Sequence, residues 1–483
     1  MNQTLTFLQI FCVLVIFIFG LFYFGSGAYF NIIKLGNMFS GSELLGMLLL
    51  VLLALGLLYI FSSLPIQKRY FLVLLLPTAF IIRLFWIIYA PTEPTSDFLM
   101  LYNAAVSAAS GDLSFADNTY FTKWVYQLGF VMYEAFAIAI FGNETFILKI
   151  LNALYSTGMV WIVYECARHI FNEKAGRLAG ATYTLYVPAI IMTSVLTNQV
   201  LATLLFYAGV LLLIKRFEKS RYSWIYIGLL FAFGHIIRPV GSLVLLASGF
   251  FLLVVYLLNH KKSGKLLVSL KFAGMIAVYF LTLTASSQAL MISGVSDHPL
   301  ENRDPKWKFV LGLNQETTGQ YSKKDSLALR GLSLEERQAK EDEMIQERLS
   351  DKSALLPLFR DKFGIMWSNK DASILWSYQG GDKETKDLLY KSEKIMFTTF
   401  FFLGFISLIL LSWSYLSKRD EVDFQRFHSL WFILFLIGYA LIHLVIEIQT
   451  RYRFVSIPSI IILQSYSHYL LFKRWRKKKS LSP

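Results

Sequence analysis

The chain has 483 residues, 55% of them hydrophobic and 16% aromatic, with a formal net charge of +14. So apolar a composition excludes an ordinary soluble domain and calls for a polytopic membrane protein. The surplus bases flank apolar stretches, as the positive-inside rule expects, so the charge does not call for a nucleic-acid partner.

The N-terminus is apolar from Leu5 to Phe24 with no Lys or Arg before it, and reads as a retained anchor. Gly25-Ser26-Gly27-Ala28 mimics a cleavage site, but a signal peptide carries a basic leading region and a shorter apolar core. A span needs about 20 apolar residues. Further spans are expected near 43–64, 70–90, 146–168, 177–193, 197–215, 222–237, 241–258, 266–288, 396–417, 427–447 and 454–472. The base-rich loops are Lys68/Arg69, Arg168/Lys174/Arg177, Lys215/Arg216/Lys219/Arg221, Lys261/Lys262/Lys265, Lys418/Arg419/Arg426 and the tail from Lys473. Placing all of them on the cytoplasmic side puts both termini inside and predicts an all-α polytopic membrane protein with about twelve transmembrane helices.

Val125–Phe141 is the segment on which this topology turns, because counting it as a span flips the next four basic loops outward. It is short, holds Glu134 and follows Lys123-Trp124, so we read it as an interfacial or re-entrant helix. The expected organisation is two N-terminal transmembrane helices (1–69), a transmembrane core (70–292) with its first external loop (91–145), a small extracytoplasmic hydrophilic domain (293–395), three C-terminal transmembrane helices (396–472) and a basic cytoplasmic tail (473–483). Within the hydrophilic domain, Ser333 and Glu336 have capping-box spacing and predict a helix over 334–349. Asp297 to Lys394 holds 18 acids and 17 bases, leaving 29 bases against 14 acids, about +15, elsewhere. Cys12 and Cys166 lie in different spans, and no disulfide is expected.

Ionisable groups at membrane depth are costly and mark functional sites by default. Arg83, Asp97, His235, Arg238, Glu447 and Arg451 all fall in or beside spans, and this topology brings the six to one face. Asp97 follows Pro91 and Pro94, which stop the preceding helix and hold it at the mouth of the span. It suits a general base or a metal ligand, and equally a helix cap. Arg83 lies about 10 Å below the end of its span and needs an anionic partner. His235 and Arg238 share a helix face ahead of Pro239, although snorkelling also accounts for Arg238. His443, Glu447 and Arg451 recur every four residues as a stripe down one helix, compatible with a structural salt bridge. With Arg453 nearby, one guanidinium is left over for an anionic ligand. Lys123 opens the interfacial segment, and Asn198-Gln199 opens a span on the same face. A cation-lined pocket with one acid suits sugar transfer from a polyprenyl phosphate. One base takes the acceptor proton and cations stabilise the departing phosphate. A transporter or flippase of a lipid-linked saccharide would want similar groups, but the polar residues lie at one face and no internal repeat is visible. A non-enzymatic scaffold gives no reason for charges at depth.

Several short motifs carry a family resemblance. They are Ser96-Asp97-Phe98 with Tyr102, Phe141-Gly142-Asn143, His235-Ile236-Ile237-Arg238-Pro239, Gly312-Leu313-Asn314 through Gly319-Gln320-Tyr321, and Glu447 through Tyr452 followed by Pro458. In their order and sidedness the chain resembles the GT-C membrane glycosyltransferases over about residues 70–470. It looks most like the bacterial family 39-like group related to the protein O-mannosyltransferases and the aminoarabinose transferase. The resemblance implies Asp97 as catalytic base, with Arg83, Lys123, His235, Arg238, Glu447, Arg451 and Tyr452 around the substrate phosphate. It implies inverting transfer from a polyprenyl-phosphate-linked sugar on the extracytoplasmic side of a plasma membrane, bacterial and Gram-positive in type. The acceptor is an envelope polymer, glycolipid or protein, and use of a divalent cation stays open. The chain departs from the protein mannosyltransferases in having Phe98, not Glu, after Asp97, and Asn198-Gln199 where they carry an acid. Both departures weigh against a protein acceptor.

Overall fold

The computed structural model describes residues 6–259, 264–417 and 424–479, so Lys261, Lys262, Lys418, Arg419 and the end of the basic tail lie outside the described residues. Among the described residues the chain is helical without strands. The first half comprises α1 (Phe7–Gly36), α2 (Gly41–Ser62), α3 (Lys68–Tyr89), α4 (Ser96–Ala109), α5 (Thr119–Lys123), α6 (Leu128–Phe141), α7 (Thr145–Ile170), α8 (Glu173–Leu185), α9 (Val187–Ile191), α10 (Asn198–Arg216), α11 (Ser223–Ile237), α12 (Gly241–Leu252) and α13 (Lys265–Ile292). The hydrophilic segment adds α14 (Lys306–Gly312), α15 (Lys323–Ala328), α16 (Leu334–Ser350), α17 (Lys352–Ser368) and α18 (Ala372–Ser377). The chain closes with α19 (Lys383–Ser417), α20 (Ser429–Val445) and α21 (Ile457–Lys479).

Nine helices among the described residues are long and apolar enough to cross a bilayer. Three of the twelve expected spans correspond to shorter pieces. The stretch 177–193 is divided at Tyr186, which is extended ahead of Val187-Pro188, into α8 and α9. Helix α11 stops after 15 residues, with Pro239 two positions on, and α12 is α-helical for 12 residues before a π turn over Leu253–Leu257. One helix also starts earlier than hydropathy indicates. Helix α19 begins at Lys383, not 396, because the charged stretch before the apolar run contains no Gly or Pro to break it. Hydropathy marks where a helix meets lipid, not where it begins.

Helix α1 is built into the C-terminal half, packing on α17, α19 and α20. A Cβ on Gly27 would run into the Phe401 ring, and one on Gly404 into Phe24, so these glycines let α1 and α19 close on each other's aromatic rings. Buried Asn31 then donates to Gly27 O (2.8 Å) and Trp367 O (2.7 Å), and accepts from Lys394 Nζ (3.1 Å).

The basic loops meet at one end of the bundle. Lys68 (2.5 Å), Arg168 (2.9 Å) and Lys215 (2.7 Å) all pair with Glu165, and Arg177 donates to the carbonyls of Leu64 (2.9 Å) and Ile66 (2.8 Å). Helix α3 carries the chain from that end to the other, where the Pro91–Asn143 connection begins. There α6, 14 residues and about 21 Å long, is too short for a hydrocarbon core of about 30 Å. It packs on α4 and α11, with Gly129 against the Ile236 carbonyl. The capping box of α16 forms as its spacing predicts: Ser333 N donates to Glu336 Oε2 (2.9 Å) and Glu336 N to Ser333 Oγ (3.3 Å).

Candidate functional site

A cleft of about 1920 Å³ opens between α4, α5, the start of α10, the ends of α11 and α20, and the hydrophilic segment. Asp97, Lys123, Arg238, Glu447, Arg451 and Tyr452 line it. Among the described residues the acids on its walls are Asp97 and Glu447. They are placed in opposite ways.

Asp97 is the second residue of α4 and is exposed. Thr95 is the N-cap, with no side-chain capping bond, and Asp97 makes no hydrogen bond or ion pair among the described residues. The helix-cap explanation of this aspartate therefore falls away. Directly before it, Ser96 has φ +54°, a left-handed conformation that costs an L-residue about 1–2 kcal/mol. The strained turn points the start of α4 at the cleft. Farther along, Tyr102 Oη donates to Asn143 Oδ1 (2.6 Å), joining α4 to the Gly142-Asn143 end of α6, where Gly142 has φ +92°.

Glu447 is buried and fully engaged. It accepts from Lys308 Nζ, from Gln449 Nε2 (2.9 Å) and from Tyr452 Oη (3.2 Å). Burial pushes its carboxyl up, but the Lys308 charge and these hydrogen bonds outweigh that and hold it below the ordinary value. Burial likewise pulls the Lys308 ammonium down, and Tyr452 and Glu447 more than restore it, leaving it above the usual lysine range.

The expected helical stripe through His443, Glu447 and Arg451 does not form. Helix α20 ends at Val445 and Ile446 is extended, so Glu447 leaves the helix and pairs with Lys308, not Arg451. Long-range contacts overrode the local spacing. Glu447 N donates to Lys308 O (2.8 Å) and Ile448 N to Gly319 O (2.9 Å), so residues 446–448 run alongside the hydrophilic segment. This explains the Gly312–Tyr321 motif. A Cβ at Gly312 would collide with the Val445 carbonyl and the Ile446 backbone, and Thr318 (φ +51°) and Gly319 (φ +74°) make the turn that presents the Gly319 carbonyl. Lys362 Nζ fastens the junction, donating to Gly312 O (2.5 Å), Leu444 O (2.6 Å) and Ile446 O (2.9 Å). His443 lines the cleft from α20, with Nδ1 2.7 Å from Tyr439 O.

Of the two arginines beyond α20, Arg453 is spent inside the protein on Asp371 (3.0 Å) and Glu393 (2.8 Å). Arg451 is the one left over. Its guanidinium lies against the rings of Phe98 (5.2 Å) and Trp376 (5.1 Å), which pack edge to face on each other, and over Tyr452 (5.7 Å). Its Nε donates to Gln449 Oε1 (2.7 Å), and no carboxylate pairs with it among the described residues. Arg238 donates to Asn198 Oδ1 (2.8 Å) and lies over the Tyr452 ring (5.5 Å), again without an acid among the described residues; burial lowers its pKa. The cleft thus holds one free carboxylate and at least two arginines stacked on aromatic faces, a setting suited to anions.

Two expected site residues lie elsewhere. Arg83 is buried off the cleft and needs no external anion: its Nε donates to Ser156 Oγ (2.7 Å) and its Nη1 to Ala79 O (2.9 Å). His235 is also off the cleft wall, with Nδ1 2.7 Å from Tyr279 Oη. Sequence reasoning missed Lys308 and Trp376, both in the hydrophilic segment. The Lys306-Trp307-Lys308 run, basic around an aromatic, was the only local signal for the first.

The cleft also has an apolar side. Leu243 and Leu246 on α12 and Leu441, Ile442 and Val445 on α20 line it, with Leu246 and Leu441 about half exposed. A divalent cation fits the residues poorly, because among the described residues the walls carry two acids, Asp97 and Glu447, and Glu447 is already taken. Among the described residues no group of three or more His, Cys, Asp or Glu is placed to hold a metal ion.

Residues 129–287 match the profile of the family described as dolichyl-phosphate-mannose-protein mannosyltransferase. The fold is shared with the archaeal oligosaccharyltransferase AglB from Archaeoglobus fulgidus, solved in complex with an inhibitory peptide and a dolichol-phosphate (TM-score 0.50, 13% identity, 86% of this chain and 52% of that one). The chain resembles the GT-C membrane glycosyltransferases. The apo form of the Archaeoglobus enzyme agrees (TM-score 0.51, 14% identity, 86% and 52% coverage), as does the form tethered to an acceptor peptide containing the NVT sequon (TM-score 0.50, 14% identity, 86% and 51%). The chain spans about half the length of these oligosaccharyltransferase chains. No curated protein sequence matches it.

Proposed function

We propose that the protein is a GT-C glycosyltransferase that moves a sugar from a polyprenyl-phosphate donor to a cell-envelope acceptor at the extracytoplasmic face. The observation that carries this reading is the cleft itself. It sets an unpaired carboxylate, Asp97, in the same space as Arg238 and Arg451, with leucines leading toward lipid. The basic loops gathered on Glu165 at the opposite end support this sidedness through the positive-inside rule.

In this mechanism the lipid chain lies along α12 and α20 while Arg238 and Arg451 hold the phosphate, with Lys123 as a third cation on the wall. Asp97 takes the proton from an acceptor hydroxyl as its oxygen bonds to the anomeric carbon. The bond from that carbon to the phosphate oxygen breaks, and the electron pair leaves with the polyprenyl phosphate. A single displacement inverts the anomeric centre. Because phosphate leaves readily as an anion, one carboxylate and a set of cations suffice, unlike the paired carboxylates of glycoside hydrolysis. Glu447 does not exchange protons here; it fixes Lys308 and Tyr452, the floor on which both arginines lie.

Purified protein in lipid vesicles, supplied with polyprenyl-phosphate sugars and envelope extract, tests the reading. Release of polyprenyl phosphate together with appearance of the sugar on an extract component supports it. Movement of the intact lipid-linked sugar between leaflets with no release supports a flippase instead.

A further inference from the structure

The cleft is larger than a donor headgroup needs, and its outer wall is sorted by charge. The hydrophilic segment from Asp297 to Lys394 has 18 acids and 17 bases, so a wall drawn from it evenly would be neutral. Yet it contributes four bases to the cleft, Lys308, Lys323, Arg330 and Arg337, and no acid. Lys308 is held by Glu447, and Arg337 by Asp304 (2.8 Å) and Glu341 (3.1 Å) behind the wall. Lys323 and Arg330 are exposed and pair with no acid among the described residues. The acids beside them are turned away: Asp325 accepts from Arg348 (2.9 Å) and Asn314 (2.7 Å), and Glu316 takes Lys324 (2.9 Å). A merely solvated face would mix signs, as the rest of this segment does.

Resting on the transferase reading above, we infer that the acceptor is itself an anionic, hydroxyl-bearing chain with phosphodiester groups along its length. Lys323 and Arg330 hold its charges while one of its hydroxyls reaches Asp97. These outer cations are surplus to a donor phosphate held by Arg238 and Arg451, and a repeating anion gives them a role. Tyr321, exposed on the same wall, offers a flat face to the uncharged parts of the chain.

The test measures binding of labelled poly(glycerol phosphate) and of neutral dextran of similar length to the purified full chain, with polyprenyl phosphate present to fill the inner cations. The double variant Lys323→Gln/Arg330→Gln is compared with Lys324→Gln, whose lysine is paired with Glu316. The expected result is preference for the anionic chain and a loss of at least about tenfold in the double variant only, as for removal of two charge-assisted contacts. Equal binding of dextran, or an undiminished double variant, overturns the inference. Polyprenyl phosphate binding, measured alone, reports separately on the donor reading: if it fails while the anionic chain still binds through Lys323 and Arg330, the donor assignment falls and the anion surface stands.

Discussion

Lys308, on a short helix of the hydrophilic segment, donates its ammonium to the buried carboxylate of Glu447, just past the end of α20. The two residues are 139 positions apart in the chain. Through this pair the hydrophilic segment becomes a wall of the cleft. Removing one partner leaves an uncompensated charge in a buried place, which costs about 3–5 kcal/mol. Lys308→Met therefore lowers the melting temperature and exposes the 446–449 turn to protease, whereas Lys308→Met combined with Glu447→Gln recovers part of the loss. Thermal unfolding and limited proteolysis of the two variants check this.

The same pair sets a pH window. Glu447 is held below its ordinary value, so its contribution is present above the carboxylate's unfolded pKa of about 4.3 and is lost as pH falls through the lower folded value. Lys308 is held above its ordinary value, so its contribution is present below about 10.4 and is lost as pH rises through the higher folded value. Docking of the segment is thus flat between these limits and fails in acid. Proteolysis across a pH series checks the shape, and in Glu447→Gln the acid limb attributable to this carboxyl disappears.

Arg451 lies against the Phe98, Trp376 and Tyr452 rings, contacts that a planar guanidinium makes better than an ammonium. Arg451→Lys, although charge-conserving, weakens polyprenyl phosphate binding by about tenfold or more, and Trp376→Ala does so in the same direction. Titration of labelled polyprenyl phosphate into each variant decides it. Retention of full affinity in Arg451→Lys removes this arginine from the phosphate site.

Glu165 gathers Lys68, Arg168 and Lys215 at the far end of the bundle. Glu165→Gln leaves three cations facing one another, and since all three are partly exposed the cost is about 1–3 kcal/mol. The variant melts earlier but binds polyprenyl phosphate as the parent does, which separates a structural from a functional cluster.

What was legible in the sequence follows from the range of the forces involved. Apolar runs and flanking bases located the helices, because burial in lipid and attraction to one face act residue by residue. Asp97, Arg238 and Arg451 were findable as polar groups at span ends. The Glu447–Arg451 stripe failed because periodicity presumes the helix continues, and it stops where Gly312 and Gly319 bring another backbone alongside. Arg83 lies off the cleft because a guanidinium at depth can be satisfied by a serine and a carbonyl as well as by a phosphate. Trp376 has nothing local to distinguish it in a charged segment, and for Lys308 the bases around Trp307 are the one local signal. Their partners lie far along the chain.

The most direct measurement is sugar transfer by Asp97→Asn with the donor-binding affinity measured on the same sample. The substitution keeps size and removes the base, so the account predicts unchanged polyprenyl phosphate binding and a transfer rate lower by about 10²–10⁴-fold, the usual contribution of a general base. Transfer at the parental rate by a variant that folds and binds donor normally would contradict it.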